Sequence, residues 1–106
     1  MMDLARHLYQ QLNEHPDKPL ITEVHGSSCV PCDGTTLLSW VSAGRGALRH
    51  HHVSRGDRVV LLAPNSSRWL AADLAILFEG AISVPMYARQ APDELVGMMK
   101  DCAPSL

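Results

Sequence analysis

The residues of this chain best suited to metal or redox chemistry are two cysteines, Cys29 and Cys32, in a C-x-x-C spacing. Such a pair can supply half of a zinc site or act as a redox couple. His25 stands just upstream, so the candidate metal ligands are His25, Cys29 and Cys32. The sequence contains no second C-x-x-C to complete a site, and the pair precedes an Asp-Gly turn instead of opening a helix. The pattern therefore favours incidental loop thiols over a zinc or redox site.

A second group of possible ligands is formed by three consecutive histidines, His50, His51 and His52. They could join the cysteine pair if the loop over residues 25–34 folded over the end of the predicted helix at residues 40–51, where the histidines stand. Protonated imidazoles also interact favourably with the negative end of a helix dipole, which would make the cluster sensitive to acid. The simpler interpretation is a solvated helix end.

Nucleotide-binding motifs are weak or absent in the sequence. Gly44-Arg45-Gly46 begins like the dinucleotide motif G-x-G-x-x-G, but Arg49 occupies the position of the third glycine. No G-x-x-x-x-G-K-[ST] stretch occurs, so the P-loop motif is excluded. The two glycines are better explained by close helix packing, since each weakens a helix by about 1 kcal/mol relative to alanine.

Composition limits the class of protein. The chain has 106 residues, a hydrophobic fraction of 46% and a formal net charge of −2. These values fit one small folded domain and not a basic nucleic-acid binder. Three cysteines and the lack of a secretory leader pattern predict free thiols in the cytoplasm. The apolar stretch 69–87 contains Asp73 and Glu79, which argues against a membrane span.

The first half of the chain predicts two helices and a hairpin. Leu4, Leu8 and Leu12 give one apolar stripe of a helix over residues 3–14, which Pro16 ends. Residues 19–24 read as a strand that pairs with residues 35–38. Ser39 is the predicted N-cap of a helix over residues 40–51.

The second half predicts a strand, a helix and a parallel strand over residues 58–63, 66–79 and 82–86. The apolar run after Gly56-Asp57 is typical of a strand covered on both faces, and Ser66 or Ser67 can cap the helix. Gly80 suits the end of that helix. A last helix begins at Pro92 and ends before Pro104. The fold class is therefore α/β, with a βαβ unit whose crossover should be right-handed.

These elements occur in an order that resembles the N-terminal segment of AMP-forming acyl-CoA synthetases, the adenylate-forming ligases. The most specific block is GDRVVLLAPNSSRWLAADLAILFEGAISVPMYA, which is closest in form to the long-chain fatty acyl branch. Weaker matches are HPDKPLITEV, LLSWVSAGRGAL and APDELVGMMKDCAPSL. The resemblance implies that residues 1–106 form a single partial domain, the beginning of an incomplete parallel sheet.

The family resemblance implies a two-step reaction. A carboxylate and ATP give an acyl-adenylate, and the thiol of CoA or of an acyl carrier protein then takes the acyl group. ATP, Mg²⁺ and CoA are thus implied for a full-length protein. The family's phosphate loop and catalytic lysine have no counterpart in these residues, so we expect no catalytic or cofactor-binding residue here and no activity from the chain alone.

A second hypothesis is a non-catalytic module that binds through an exposed sheet edge. A strand would normally follow the last helix of a doubly wound sheet, so we expect an unpaired edge that favours a homo-oligomer. Nucleic acid is not an expected partner. Any ligand site should lie at the carboxyl ends of the two parallel strands, over Ala63–Asn65 and Pro85–Arg89. Trp69 is expected mainly to pack.

Overall fold

The computed structural model describes residues 2–87 and 89–106. Within them the chain forms four helices and two two-stranded sheets. The elements in chain order are α1 (Met2–Glu14), β1 (Pro19–His25), β2 (Ser28–Asp33), α2 (Gly34–His50), β3 (Arg58–Leu62), α3 (Ser67–Phe78), β4 (Ile82–Met86) and α4 (Pro92–Cys102).

The predicted hairpin has the correct first strand and the wrong second strand. β1 pairs antiparallel with β2, whereas residues 35–38 belong to α2. His25 lies opposite Ser28, so the connection consists of Gly26 and Ser27 alone. Gly26 has φ +63°, which suits the first central position of a tight hairpin turn. The chain therefore reverses at Gly26, well before the predicted pairing could form.

The predicted N-cap of the second helix is also wrong. Asp33, not Ser39, caps α2, and its side chain accepts a hydrogen bond from Thr36 N at 2.8 Å. Asp33-Gly34 is thus a helix start instead of a turn. A Cβ on Gly34 would lie 3.0 Å from the Leu12 carbonyl oxygen and 3.1 Å from that of His15. Glycine is required here because the start of α2 packs closely against the backbone at the end of α1.

The βαβ unit is confirmed. β3 and β4 pair in parallel, with Val60 opposite Val84 and Leu62 opposite Met86. Ser66 is the N-cap of α3, and its hydroxyl accepts from Trp69 N at 3.0 Å. Gly80 follows the C-cap with φ +74°, as the end of a helix requires. The predicted fold class, α/β with a parallel strand pair, is therefore the observed one.

The core lies between α2, α3 and one face of the β3–β4 sheet. α2 and α3 approach so closely at Gly44 that a Cβ there would lie 2.9 Å from Ala75 Cβ, whereas Gly46 faces open space. The predicted close packing thus holds at the first glycine only. Twelve buried residues form the core cluster: Leu12, Cys32, Leu37, Val41, Leu48, Val53, Val59, Ala71, Leu74, Ala75, Ile76 and Ala81.

The last residues of the chain run along the free edge of β3. Ser105 N donates to the Arg58 carbonyl oxygen at 2.7 Å, and Val60 N donates to that of Leu106 at 2.8 Å. This edge is therefore partly paired, although we expected it to be open. Among the described residues no helix has the length and hydropathy needed to cross a membrane.

Candidate functional site

An open cleft of about 740 Å³ lies at the carboxyl ends of the two parallel strands. Its walls come from the segments after β3 and β4, where the sequence predicts a site. The described lining residues are Ala63, Pro64, Asn65, Trp69, Pro85, Met86, Tyr87 and Arg89. Ala88, which belongs to the predicted segment Pro85–Arg89, lies outside the described residues. The cleft is the candidate site because parallel sheets bind ligands at this end.

Local sequence explains the shape of the cleft. Pro64 and Asn65 end β3, and the cap at Ser66 turns the chain directly into α3. Trp69, in the first turn of α3, is half-buried and lines the cleft, so it both packs and faces the site. On the opposite wall Tyr87 is 78% exposed, and its N–H donates to Gln90 Oε1 at 3.2 Å.

The described side chains of the cleft are of types that can hold a ligand. Its described polar groups are the amide of Asn65, the indole of Trp69, the phenol of Tyr87 and the guanidinium of Arg89. Aromatic faces and a guanidinium can hold a planar or anionic group. No described lining residue is a carboxylate, histidine, cysteine or lysine, so these side chains include no general base and no carboxylate ligand for Mg²⁺.

The three candidate metal ligands do not converge. Cys29 and Cys32 are both in β2, three residues apart, and so point to opposite faces of the strand. Cys29 is exposed, whereas Cys32 is buried and burial raises the pKa of its thiol. His25 Nε2 lies 3.0 Å from Glu23 Oε2. No group of three metal-binding side chains occurs in the part of the chain that the structure describes.

Glu23 is an important residue that the sequence did not reveal. Its carboxylate, on β1, accepts a hydrogen bond from Ser67 N at the start of α3, 44 positions along the chain. That bond, with the contact to His25, lowers the pKa of Glu23 to about 2. A carboxylate at a helix N-terminus is favourable because the helix dipole is positive there. Glu23 therefore ties the hairpin to the helix that forms one wall of the cleft.

The residues around the Gly44-Arg45-Gly46 motif form an ion cluster. Arg45 Nε lies 2.7 Å from Glu79 Oε1, and Arg49 Nη2 lies 3.0 Å from the same oxygen. Burial tends to raise the pKa of Glu79, but the bonds from both arginines outweigh it and lower that pKa. The motif thus connects α2 to the end of α3, which is a structural role.

The histidine cluster terminates α2. His50 is the last helical residue, His51 is the C-cap and His52 has φ 60°. All three residues are exposed, and the rings of His50 and His51 meet edge to face at 5.4 Å. The arrangement is that of a solvated helix end.

Comparison with known proteins gives a consistent family signal. The family model described as AMP-binding enzyme matches residues 8–106. The chain is 40% identical over 57 residues to the 3-hydroxybenzoate–CoA/4-hydroxybenzoate–CoA ligase of Thauera aromatica, a match that covers 54% of this chain and 11% of that protein. It is 30% identical over 101 residues to the 4-coumarate–CoA ligase-like 3 protein of Oryza sativa subsp. japonica, covering 93% of this chain and 17% of that one.

Solved structures show the same fold. The chain resembles the fatty acid AMP ligase from Legionella pneumophila with a TM-score of 0.84 and 24% identity, over 97% of this chain and 18% of that one. At this identity the likeness supports the fold alone. In all three comparisons the chain spans less than a fifth of the relative's length.

Proposed function

Because the chain belongs to the AMP-binding enzyme family, we propose that it is the N-terminal part of an ATP-dependent acyl-activating ligase. In the proposed reaction a carboxylate oxygen attacks the α-phosphorus of ATP, an acyl-adenylate forms and pyrophosphate leaves. A thiol of CoA or of an acyl carrier protein then attacks the acyl carbon, and AMP leaves. The observation that carries this proposal is the family match across residues 8–106.

In this proposal the chain is a scaffold and is inactive alone. Adenylation requires groups that stabilise the charge developing at phosphorus, usually Mg²⁺ and a cation held close to the phosphate. The described residues of the cleft provide one guanidinium and no carboxylate, so they do not fit Mg²⁺–ATP. ATP, Mg²⁺ and CoA are therefore expected to bind a larger protein, through residues other than these.

Two substrate classes are compatible with the proposed ligase. The form of the Gly56–Tyr87 block favours long-chain fatty acids and fatty acid metabolism. The Thauera relative is named for hydroxybenzoates, which favours aromatic acids. A cytoplasmic location is also proposed, since the exposed Cys29 thiol would be preserved in a reducing compartment.

The test is to determine the coding sequence that follows the Leu106 codon and to assay the extended protein. We expect the reading frame to continue into a Ser/Thr/Gly-rich phosphate loop. The extended protein should catalyse ATP–pyrophosphate exchange that depends on a carboxylic acid, assayed with long-chain fatty acids and hydroxybenzoates side by side. An extended protein that folds, contains the loop and exchanges with neither class would contradict the proposal.

A further inference from the structure

The β1–β2 hairpin and the cleft meet at the first turn of α3. An open groove of about 550 Å³ lies between β1 and this turn, and its lining includes Glu23, Ser67 and Leu70. Asn65 and Trp69 line both this groove and the cleft at the carboxyl ends of the parallel strands. The groove and the cleft therefore share one wall, and a displacement of that wall changes the shape of both.

Two acceptors from different parts of the chain satisfy N–H groups in the first turn of α3. The first N–H groups of a helix have no partner within the helix itself. The Ser66 hydroxyl accepts from Trp69 N, which is a local contact at the helix start. The Glu23 carboxylate, which accepts from Ser67 N, belongs to β1. The turn is therefore held both from within and from the hairpin.

The surroundings of Glu23 favour a fixed position for its side chain. Oε1 accepts from Ser67 N, and Oε2 lies 3.0 Å from His25 Nε2, so both carboxylate oxygens have a partner. Ser67 is buried, so little water competes for its N–H, and hydrogen bonds are stronger where water is excluded. A charged acceptor strengthens the bond further. The link between β1 and α3 is therefore specific in geometry.

The outer half of the hairpin has little apolar anchorage. Val24 is 70% exposed and Val30 is 51% exposed, whereas Ile21, nearer the base, packs against the core. Because the outer half buries little apolar surface, the bond from Ser67 N to Glu23 has a large share in holding it against α3. Loss of this bond should let the hairpin and the first turn of α3 move apart.

We propose that Glu23 is a positioning residue of the cleft, and that it holds the Trp69 indole in place through the backbone of the first turn of α3. Trp69 follows Ser67 by two positions in that turn, so a displacement of the Ser67 backbone also displaces the indole. This coupling depends only on contacts among the described residues and is independent of the ligase reaction.

Heteronuclear NMR of the full chain tests the coupling, because its two tryptophans, Trp40 and Trp69, give two indole N–H signals. A Trp40→Phe spectrum assigns them. Glu23→Ala should displace the Trp69 indole signal, and the Ser67 amide should exchange with solvent at least about tenfold faster, since the lost bond has a charged acceptor. The matched control is Glu14→Ala, because Glu14 is exposed at the end of α1, and it should change neither reading.

Ser67→Pro removes the donor instead of the acceptor. Proline is favoured at the first position of a helix, and Ser66 before it is already extended, with φ −165° and ψ 174°. This variant should therefore retain α3 and displace the Trp69 indole signal as Glu23→Ala does. The double variant should show no displacement beyond that of the single variants, because both remove the same bond.

A further control separates positioning from general loss of stability. Glu79→Gln weakens contacts at the other end of α3, so it should leave the Trp69 indole signal in place. Circular dichroism identifies the variants that remain folded, and Glu23→Gln, which keeps the shape of the side chain, should give a smaller displacement than Glu23→Ala. A Trp69 signal that stays at its wild-type position in the folded Glu23 variants would refute the proposal. Independent, additive displacements in the double variant would refute it as well.

Discussion

The contact between Gly44 and Ala75 gives a sharp prediction about helix packing. A methyl group at position 44 would lie 2.9 Å from Ala75 Cβ. Carbon atoms pack best at about 3.5–4.0 Å, so α2 and α3 would have to separate by a sizeable fraction of an ångström. Overpacking of this kind costs about 1–3 kcal/mol. Alanine offsets roughly 0.5–1 kcal/mol of that cost through its better helix propensity. Gly44→Ala should therefore destabilise the chain by about 0–2.5 kcal/mol.

Gly46→Ala is the matched control, because it makes the same chemical change in the same helix with nothing within 4 Å of the new methyl group. It should stabilise the chain by about 0.5–1 kcal/mol. The difference between the two variants is then about 1–3 kcal/mol, or at least about 4 °C in melting temperature.

Urea and thermal unfolding at one protein concentration measure this difference. Ala75→Gly should also cost less in the Gly44→Ala background than in the wild type, since it removes the clash. Equal stability of the two alanine variants would refute the proposed close approach of α2 and α3.

Three other predictions concern the remaining contacts. Glu23 has a lowered pKa of about 2 against an ordinary 4.5, so its contribution to stability is present above pH 4.5 and is lost as the pH falls through 2. Glu23→Gln should therefore flatten the pH dependence of the melting temperature over that range. An unchanged profile would contradict the hydrogen bond from Ser67 N to the Glu23 carboxylate. Glu79→Gln should cost about 1–3 kcal/mol in urea unfolding, because Arg45 loses its carboxylate partner while only partly exposed. A cost near zero would show that the ion cluster does not stabilise the chain. Treatment with a metal chelator should leave the melting temperature unchanged, and a fall would reinstate a metal site at the hairpin cysteines.

The βαβ unit could be predicted from sequence because its signals are local. A continuous apolar run, a serine cap and a C-terminal glycine each act within a few residues. The position of the cleft followed as well, since the carboxyl ends of parallel strands meet at one edge of the sheet. Periodicity and capping therefore predict both the βαβ unit and the position of its candidate site.

The wrong predictions, of the second hairpin strand and of the start of α2, concern local sequences that can adopt two different structures. Asp33-Gly34 can form a turn or start a helix, and the close approach of Gly34 to the end of α1 decides the outcome. Gly26-Ser27 is a short hairpin connection that stands among several other turn-forming residues, so the sequence alone does not single it out. The bond from Glu23 to Ser67 could not be predicted, because it joins two elements far apart in the chain.

The metal-site hypothesis assumed that residues 25–34 form a loop, whereas Ser28–Asp33 form β2. In a loop, the side chains of a C-x-x-C pair can converge, whereas in the strand observed here they point to opposite faces. The correct assignment of β2 would therefore have separated Cys29 from Cys32 without any knowledge of tertiary structure.

We have proposed that this chain provides scaffold, and no catalytic group, to an adenylate-forming ligase. The decisive assay is ATP–pyrophosphate exchange by the purified chain, with fatty and aromatic acids as substrates and the Thauera ligase as a positive control. We expect no exchange above the protein-free background with any acid. Exchange that depends on both the chain and an added carboxylic acid would contradict it.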